Sequence, residues 1–158
     1  MKLVDQRLYI DAPPARVYAL LTQAGLLVEW MAPSATVDAR PGGVITWTHA
    51  TGDRVAGVFL ELVPDRRVVF SYGWDRADVE IPPGSTTVEI DLRPHGTGTQ
   101  LHLVHRGLTD PMTDAHHGGW TNYLTRLATL AAGHDPGPDP LADQRVPAAH
   151  PSGSANPC

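Results

Sequence analysis

The stretch Gln100–Gly133, QLHLVHRGLTDPMTDAHHGGWTNYLTRLATLAAG, decides how this chain folds. Its first part alternates, Leu101-His102-Leu103-Val104-His105, and a period of two puts Leu101, Leu103 and His105 on one face of a strand. Gly107-Leu108 and Asp110-Pro111 break that pattern. Helical spacing follows, with Trp120, Leu124, Leu127 and Ala131 along one side. The spacing predicts a helix from near Asp114 to Gly133, with Gly133 just past its end, where a left-handed residue is favoured. A strand that feeds one long helix with an apolar stripe implies a sheet wrapped around that helix, because the stripe must be buried against a concave face.

Upstream, Val88-Glu89-Ile90-Asp91-Leu92 alternates just as cleanly, so one face of the sheet is buried and the other wet. Strands are expected at Lys2–Asp11, Ala35–Asp38, Val44–Ala50, Arg54–Val63, Val68–Trp74, Thr86–Arg93 and Thr99–Arg106. Turn chemistry punctuates them, at Arg40-Pro41-Gly42-Gly43, Thr51-Gly52-Asp53, Pro64-Asp65-Arg66 and Pro94-His95-Gly96-Thr97-Gly98. After the first strand, Pro13-Pro14 opens a helix that buries Val17, Leu20 and Leu21. A second short helix, Leu26–Met31, carries Trp30. The class is therefore α+β: a curved antiparallel sheet of about seven strands around a long C-terminal helix, with two short helices after strand 1. Asp75–Ser85, with Pro82-Pro83-Gly84, is the longest irregular stretch and is placed at the rim, where the mouth of any cavity would lie.

Residues 1–133 read as a single domain. Residues 134–158 are rich in Pro, Gly and Ala with few large apolar side chains, so they read as a disordered tail. The net charge of −5 argues against a nucleic-acid partner, which would want a basic face. Cys158 is the only cysteine, so no internal disulfide forms, which fits a reducing compartment. No apolar run reaches the roughly 18 residues of a membrane span and no apolar leader is visible, so a cytoplasmic protein with no membrane partner is expected.

Five stretches carry a resemblance: Asp11-Ala12-Pro13; Trp30-Met31-Ala32-Pro33; Asp38-Ala39-Arg40-Pro41-Gly42-Gly43; His105-Arg106-Gly107-Leu108; and His116-His117-Gly118-Gly119-Trp120 followed by Leu124 and Leu127. In this order and spacing, over about residues 3–133, the chain resembles the activator-of-heat-shock-protein-90-ATPase homologue family of the START-like, SRPBCC helix-grip superfamily. The resemblance implies the helix-grip fold and a hydrophobic cavity between sheet and long helix. It does not settle an activity, since the superfamily includes lipid carriers, hormone receptors and polyketide cyclases.

The candidate ligand-binding residues are Trp47, Phe59, Tyr72, Trp74, His105, Trp120 and Tyr123, large side chains with polar tips on the elements that would surround such a cavity. Core packing is the competing reading for each, above all for Trp120, which begins the helix stripe. His105 faces inward and could orient a ligand or act as a base, or could be bonded within the fold. His116 and His117 diverge on a helix and lack the spacing of a zinc site, so no metal is assigned. No inward carboxylate pair, nucleophile elbow or phosphate loop is present, so no catalytic residue and no cofactor is assigned. The leading expectation is a protein that binds an apolar or amphipathic small molecule. A cyclase- or dehydratase-like enzyme using an inward His and a chaperone-associated interaction module are the alternatives, and a homodimer stays open.

Overall fold

Alternation becomes a sheet whose two faces differ in kind. The structure, a computed structural model, describes residues 3–149. In chain order the elements are β1 (Val4–Ile10), α1 (Pro14–Thr22), α2 (Ala24–Leu27), β2 (Ser34–Val37), β3 (Val44–Thr48), β4 (Arg54–Val63), β5 (Arg67–Tyr72), β6 (Thr86–His95), β7 (Gly98–Arg106) and α3 (Asp110–Ala131). Among the described residues the strands form one antiparallel seven-stranded sheet in the order β1-β7-β6-β5-β4-β3-β2. Val88, Ile90 and Leu92 lie opposite His105, Leu103 and Leu101, and all six are buried. The intervening residues face out. There Arg67 bonds Glu61 and Asp91, and Arg106 bonds Glu89.

The long helix closes the concave face. Its buried side chains are Met112, Thr113, His116, Trp120, Tyr123, Leu124, Leu127 and Ala131, the stripe expected from the helical spacing and one turn more. It starts at Asp110 instead of Asp114 because Pro111 sits in the first turn, where a missing N–H costs nothing. Gly133 takes φ +94° just past the helix, the left-handed conformation expected there. Gly107, φ +90°, turns the chain from β7 into α3; a side chain there would strain the backbone and crowd the Ser85 carbonyl, 3.2 Å from an added Cβ. α3 packs on β1 and α1. Gln6 of β1 donates to the His117 carbonyl (2.9 Å) and to Thr121 Oγ1 (3.0 Å). Trp30, buried after α2, donates its indole N–H to the Leu20 carbonyl at 2.9 Å, and Arg126 of α3 donates to the Trp30 carbonyl at 3.0 Å. One tryptophan thus joins both short helices to the long one.

The second short helix is Ala24–Leu27 and not Leu26–Met31, so Trp30 lies in the turn after it, and two longer segments also differ from the sequence-based expectation. The Asp75–Ser85 loop is folded into the core by Val79 and Ile81, both buried, and by the Trp74 amide bonding the Ile81 carbonyl. Residues 134–149 hold neither helix nor strand, yet they are tied down as a strap. Leu141 and Val146 pack on the core. Asp139 accepts from Tyr123 (2.6 Å) and Asn122 (3.1 Å). Composition argued against order here because large apolar residues are few; the strap is held chiefly by polar bonds to groups already buried. Residues 150–158, including Cys158, lie outside the described residues.

The grip of α3 rests on fully buried side chains, so Leu127→Ala, at a site 0% exposed, is expected to cost about 2–5 kcal/mol. Urea denaturation of the purified variant measures it.

Candidate functional site

Between the sheet and α3 lies a cavity of about 240 Å³. Trp47 of β3, Tyr72 of β5 and Trp74 just beyond form one wall; His116, Gly119, Trp120 and Tyr123 of α3 form the other; Asp53 and, from the strap, Leu141, Arg145 and Val146 complete the lining. The strap thus contributes to the lining, together with Ala115 and His116 near the start of α3, and no residue of the Asp75–Ser85 loop does. A second hollow of about 630 Å³ lies by Arg7, Arg67, Asp91, Arg93 and His102 and has no Trp, Tyr or Phe in its lining.

Of the seven candidate residues, Trp47, Tyr72, Trp74, Trp120 and Tyr123 come together in the cavity wall. Phe59 does not; it is buried against Phe70, with ring centroids 6.4 Å apart. His105 does not either: it sits behind Tyr72, whose ring centroid is 4.5 Å away, and is 0% exposed. The residues that sequence reasoning missed are His49, Asp53 and the strap, and it did not place His116 in the wall. For His49 a signal existed, since it follows Trp47 by two residues and period two puts both on one face.

The tryptophan tips of this wall are each paired with a histidine. An indole nitrogen only donates, so each Trp–His bond fixes a tautomer. Trp120 donates to His105 Nδ1 (3.1 Å), so His105 carries its proton on Nε2 and donates it to Thr86 Oγ1 (2.9 Å), which in turn donates to the Tyr72 carbonyl (2.7 Å). Trp74 donates to His116 Nε2 (3.0 Å), leaving His116 Nδ1 to donate to the Met112 carbonyl (2.8 Å). Trp47 donates to His49 Nε2 (3.2 Å), and His49 Nδ1 then faces the Tyr123 hydroxyl at 3.5 Å, beyond a good hydrogen bond.

Burial keeps all three imidazoles neutral. The His105 pKa is lowered to about 2 by burial first and by the proximity of His116 second. His116 is lowered to about 4, burial outweighing its bond to the Met112 carbonyl. His49 is lowered too, burial outweighing the pull of Asp139 and Asp53. A general base needs a lone pair free near neutral pH; each imidazole has its basic nitrogen occupied by an indole N–H. Among the described residues no group of three or more His, Cys, Asp or Glu could hold a metal ion.

Asp53 anchors the strap. Its side chain is 2% exposed and accepts from Arg76 Nη1 (3.0 Å), Arg145 Nη2 (2.9 Å) and the Val146 amide (2.9 Å). Burial alone would raise its pKa, but these hydrogen bonds outweigh burial and hold it at about 2. Asp139 is lowered in the same manner, burial being outweighed by bonds from Tyr123, the Leu141 amide and Asn122.

The family model of Activator of Hsp90 ATPase homolog 1-like protein matches residues 11–132. The chain belongs to this family. An AHSA1-like protein from Rhizobium etli, solved by NMR, is 41% identical, with 94% of this chain and 93% of that one covered and a TM-score of 0.68. A protein from Chromobacterium violaceum is 28% identical over 82% of this chain and 96% of that one, with a TM-score of 0.71. The Aha1 dimer from Colwellia psychrerythraea, at 20% identity and a TM-score of 0.72 over 84% of this chain and 98% of that one, shares the fold. No curated protein matches the chain. The helix-grip arrangement is thus the family's fold, and the strap lies beyond the stretch that the family model matches. No helix among the described residues is long and apolar enough to cross a membrane.

Two measurements follow from this site. In the unfolded chain both His105 and His116 protonate near pH 6.5, whereas folding holds them neutral to about 2 and about 4. The unfolded state therefore binds more protons below pH 6.5, and stability falls as pH drops through that value toward 4, by about 1.4 kcal/mol per pH unit for each histidine. Urea titrations at several pH values give the slope; a flat profile would mean that the imidazoles are charged or solvated in the fold. Separately, Asp53→Asn is expected to cost about 1–3 kcal/mol, whereas Arg145→Ala, at a side chain 61% exposed, should cost about 0–1 kcal/mol. Hydrogen exchange of the strap amides should quicken in the Asp53 variant.

Proposed function

We propose that this member of the family binds an apolar or amphipathic small molecule in the cavity between the sheet and α3. The observation that carries the reading is a cavity walled by Trp47, Tyr72, Trp74, Trp120 and Tyr123 in which the tryptophan tips are already bonded to protein groups. Such a wall offers aromatic area for burial, worth about 25 cal/mol per Å² of apolar surface, and the two charged residues of the lining, Asp53 and Arg145, are bonded to each other. The same pairings weigh against an enzyme using His105, because that ring has no free basic nitrogen. The ion pairs of Arg67 and Arg106 on the outer sheet face weigh against a broad apolar docking face.

Size narrows the ligand. A cavity of about 240 Å³ is below the roughly 300–1,000 Å³ of sites for drug-sized molecules, which points to one or two rings. Fatty acids, flavonoids and polyketides are larger than this space favours. A thermal-shift series across ring compounds and these larger classes tests the reading, since a ligand at about a hundred times its Kd adds about 2.7 kcal/mol of stability. No shift with any apolar class would sink it.

A matched variant separates cavity binding from surface binding. Gly119 lines the cavity, and a Cβ added there meets nothing within 4 Å. Gly119→Leu should fill the space and remove the ligand-induced shift. Its apo stability should hold or rise by about 1 kcal/mol, because glycine is a poor helix former. Binding unchanged in this variant would place the ligand elsewhere.

A further inference from the structure

One polar atom of the cavity wall stands apart from the rest. The indoles of Trp47, Trp74 and Trp120 are spent on His49, His116 and His105, and the Tyr123 hydroxyl is spent on Asp139. Asp53 accepts from Arg76, Arg145 and the Val146 amide. Tyr72 is different. It lines the cavity and is 3% exposed, its carbonyl accepts from Thr86, and its hydroxyl makes no hydrogen bond with any described residue. Rings surround it on every side: Trp47, Trp74, His105, His116 and Trp120 lie with centroids 4.5 to 6.3 Å from its own. Burial, and to a lesser degree the nearby Tyr123, raise its pKa well above the ordinary phenol value, so it holds its proton and can donate it in a hydrogen bond.

A buried O–H without an acceptor is costly, by about the desolvation of one hydroxyl. The cost is recovered when something in the cavity accepts the bond. We propose that the Tyr72 hydroxyl is the hydrogen-bond anchor of the cavity, and that the ligand is a neutral, flat ring compound presenting a carbonyl or ether oxygen to it. The inference rests on the small-molecule reading above and adds the chemical class. Neutrality follows from the surroundings. The two cations near the cavity, Arg76 and Arg145, are both bonded to Asp53, and Asp53 and Asp139 are both held ionised. An anionic ligand would meet the ionised Asp53 beside Arg145 in the lining, and among the buried aromatic wall it would find only neutral donors, the Tyr72 phenol and the His49 Nδ1–H, so its desolvation would be poorly compensated. Flatness follows from the tilted and edge-on indoles and phenols that bound the space.

Three probes of one frame test the proposal on the full chain: tetralin, which has no acceptor; α-tetralone, which adds one carbonyl; and the tetralin α-carboxylate, which adds a charge. Isothermal titration of wild type is expected to show α-tetralone binding about tenfold more tightly than tetralin, and the carboxylate more weakly than either. Tyr72→Phe keeps the ring and removes the hydroxyl. In that variant α-tetralone and tetralin should bind alike, and the infrared carbonyl band of bound α-tetralone, shifted to lower frequency in wild type, should return to its position in an apolar solvent. The apo variant should melt no lower than wild type, because it loses an unpaired group.

Equal binding of tetralin and α-tetralone to wild type would overturn the anchor while leaving the cavity reading intact. So would a carboxylate that binds tightest, or an apo Tyr72→Phe protein that melts several degrees lower, which would show the hydroxyl already bonded in the free protein. Binding of none of the three would remove the small-molecule reading itself at this size, and the anchor with it.

Discussion

A buried indole N–H must find an acceptor, and most of what is particular to this molecule follows from that constraint. Three tryptophans are buried around the space beneath α3, and three histidines take their protons. Imidazole suits the task because, when neutral, it offers one acceptor and one donor on opposite sides of a ring. His105 and His116 therefore each accept an indole N–H and pass hydrogen bonding onward, to Thr86 and to the Met112 carbonyl. The arrangement works only while the rings stay uncharged, since a protonated imidazole has no acceptor to offer. Burial that makes charging unfavourable and geometry that needs neutrality thus support each other. Where one histidine alone would invite a catalytic reading, three with the same bonding describe a wall.

The strap obeys a related constraint from the opposite direction. A carboxylate buried like Asp53 is tolerated only when hydrogen bonds replace its lost water. Arg76 alone supplies one; Arg145 and the Val146 amide complete the set from the strap. The sheet therefore carries an incomplete polar site that the C-terminal segment finishes, and in finishing it the segment brings Leu141 and Val146 to the cavity. The same segment lines the cavity and satisfies the carboxylate. A segment of this composition has little apolar surface of its own to hold it in place, so the bonds to Asp53 and Asp139 fix where it lies.

The sheet and its helix were legible because they rest on periodicity. Val88, Ile90 and Leu92, Leu101 and Leu103, and the Trp120-Leu124-Leu127 stripe each declare a face locally. The aromatic part of the wall was legible for the same reason. The pairings were not. Trp74 finds His116 across 42 residues and Trp120 finds His105 across 15, and only the folded chain brings such partners within reach. His105 shows the limit clearly: alternation placed it inward correctly, but inward meant behind Tyr72 and not into the cavity. The strap escaped because composition counts apolar side chains, whereas its position is set by two acidic residues, one of them 2% exposed at the end of a turn.

The cavity itself has a local cause in α3. Gly118 and Gly119 stand in the middle of a 22-residue helix, where each glycine costs about 1 kcal/mol relative to alanine. Neither is needed for a tight approach, since an added Cβ at either position meets nothing within 4 Å. Helix stability and core packing would both favour larger residues here. What the missing side chain at Gly119 leaves is open space beside Trp120, facing Tyr72 and Trp74 across the gap. A fold built only for stability would fill that gap from the helix, and the histidines already satisfy every indole around it without help from anything inside. Tyr72, whose buried hydroxyl has no hydrogen bond with any described residue, lines the same space that the glycine keeps clear. Two independent costs, a weak helix residue and an unpaired donor, thus converge on one volume, which is the pattern expected where space is kept for an occupant instead of for packing.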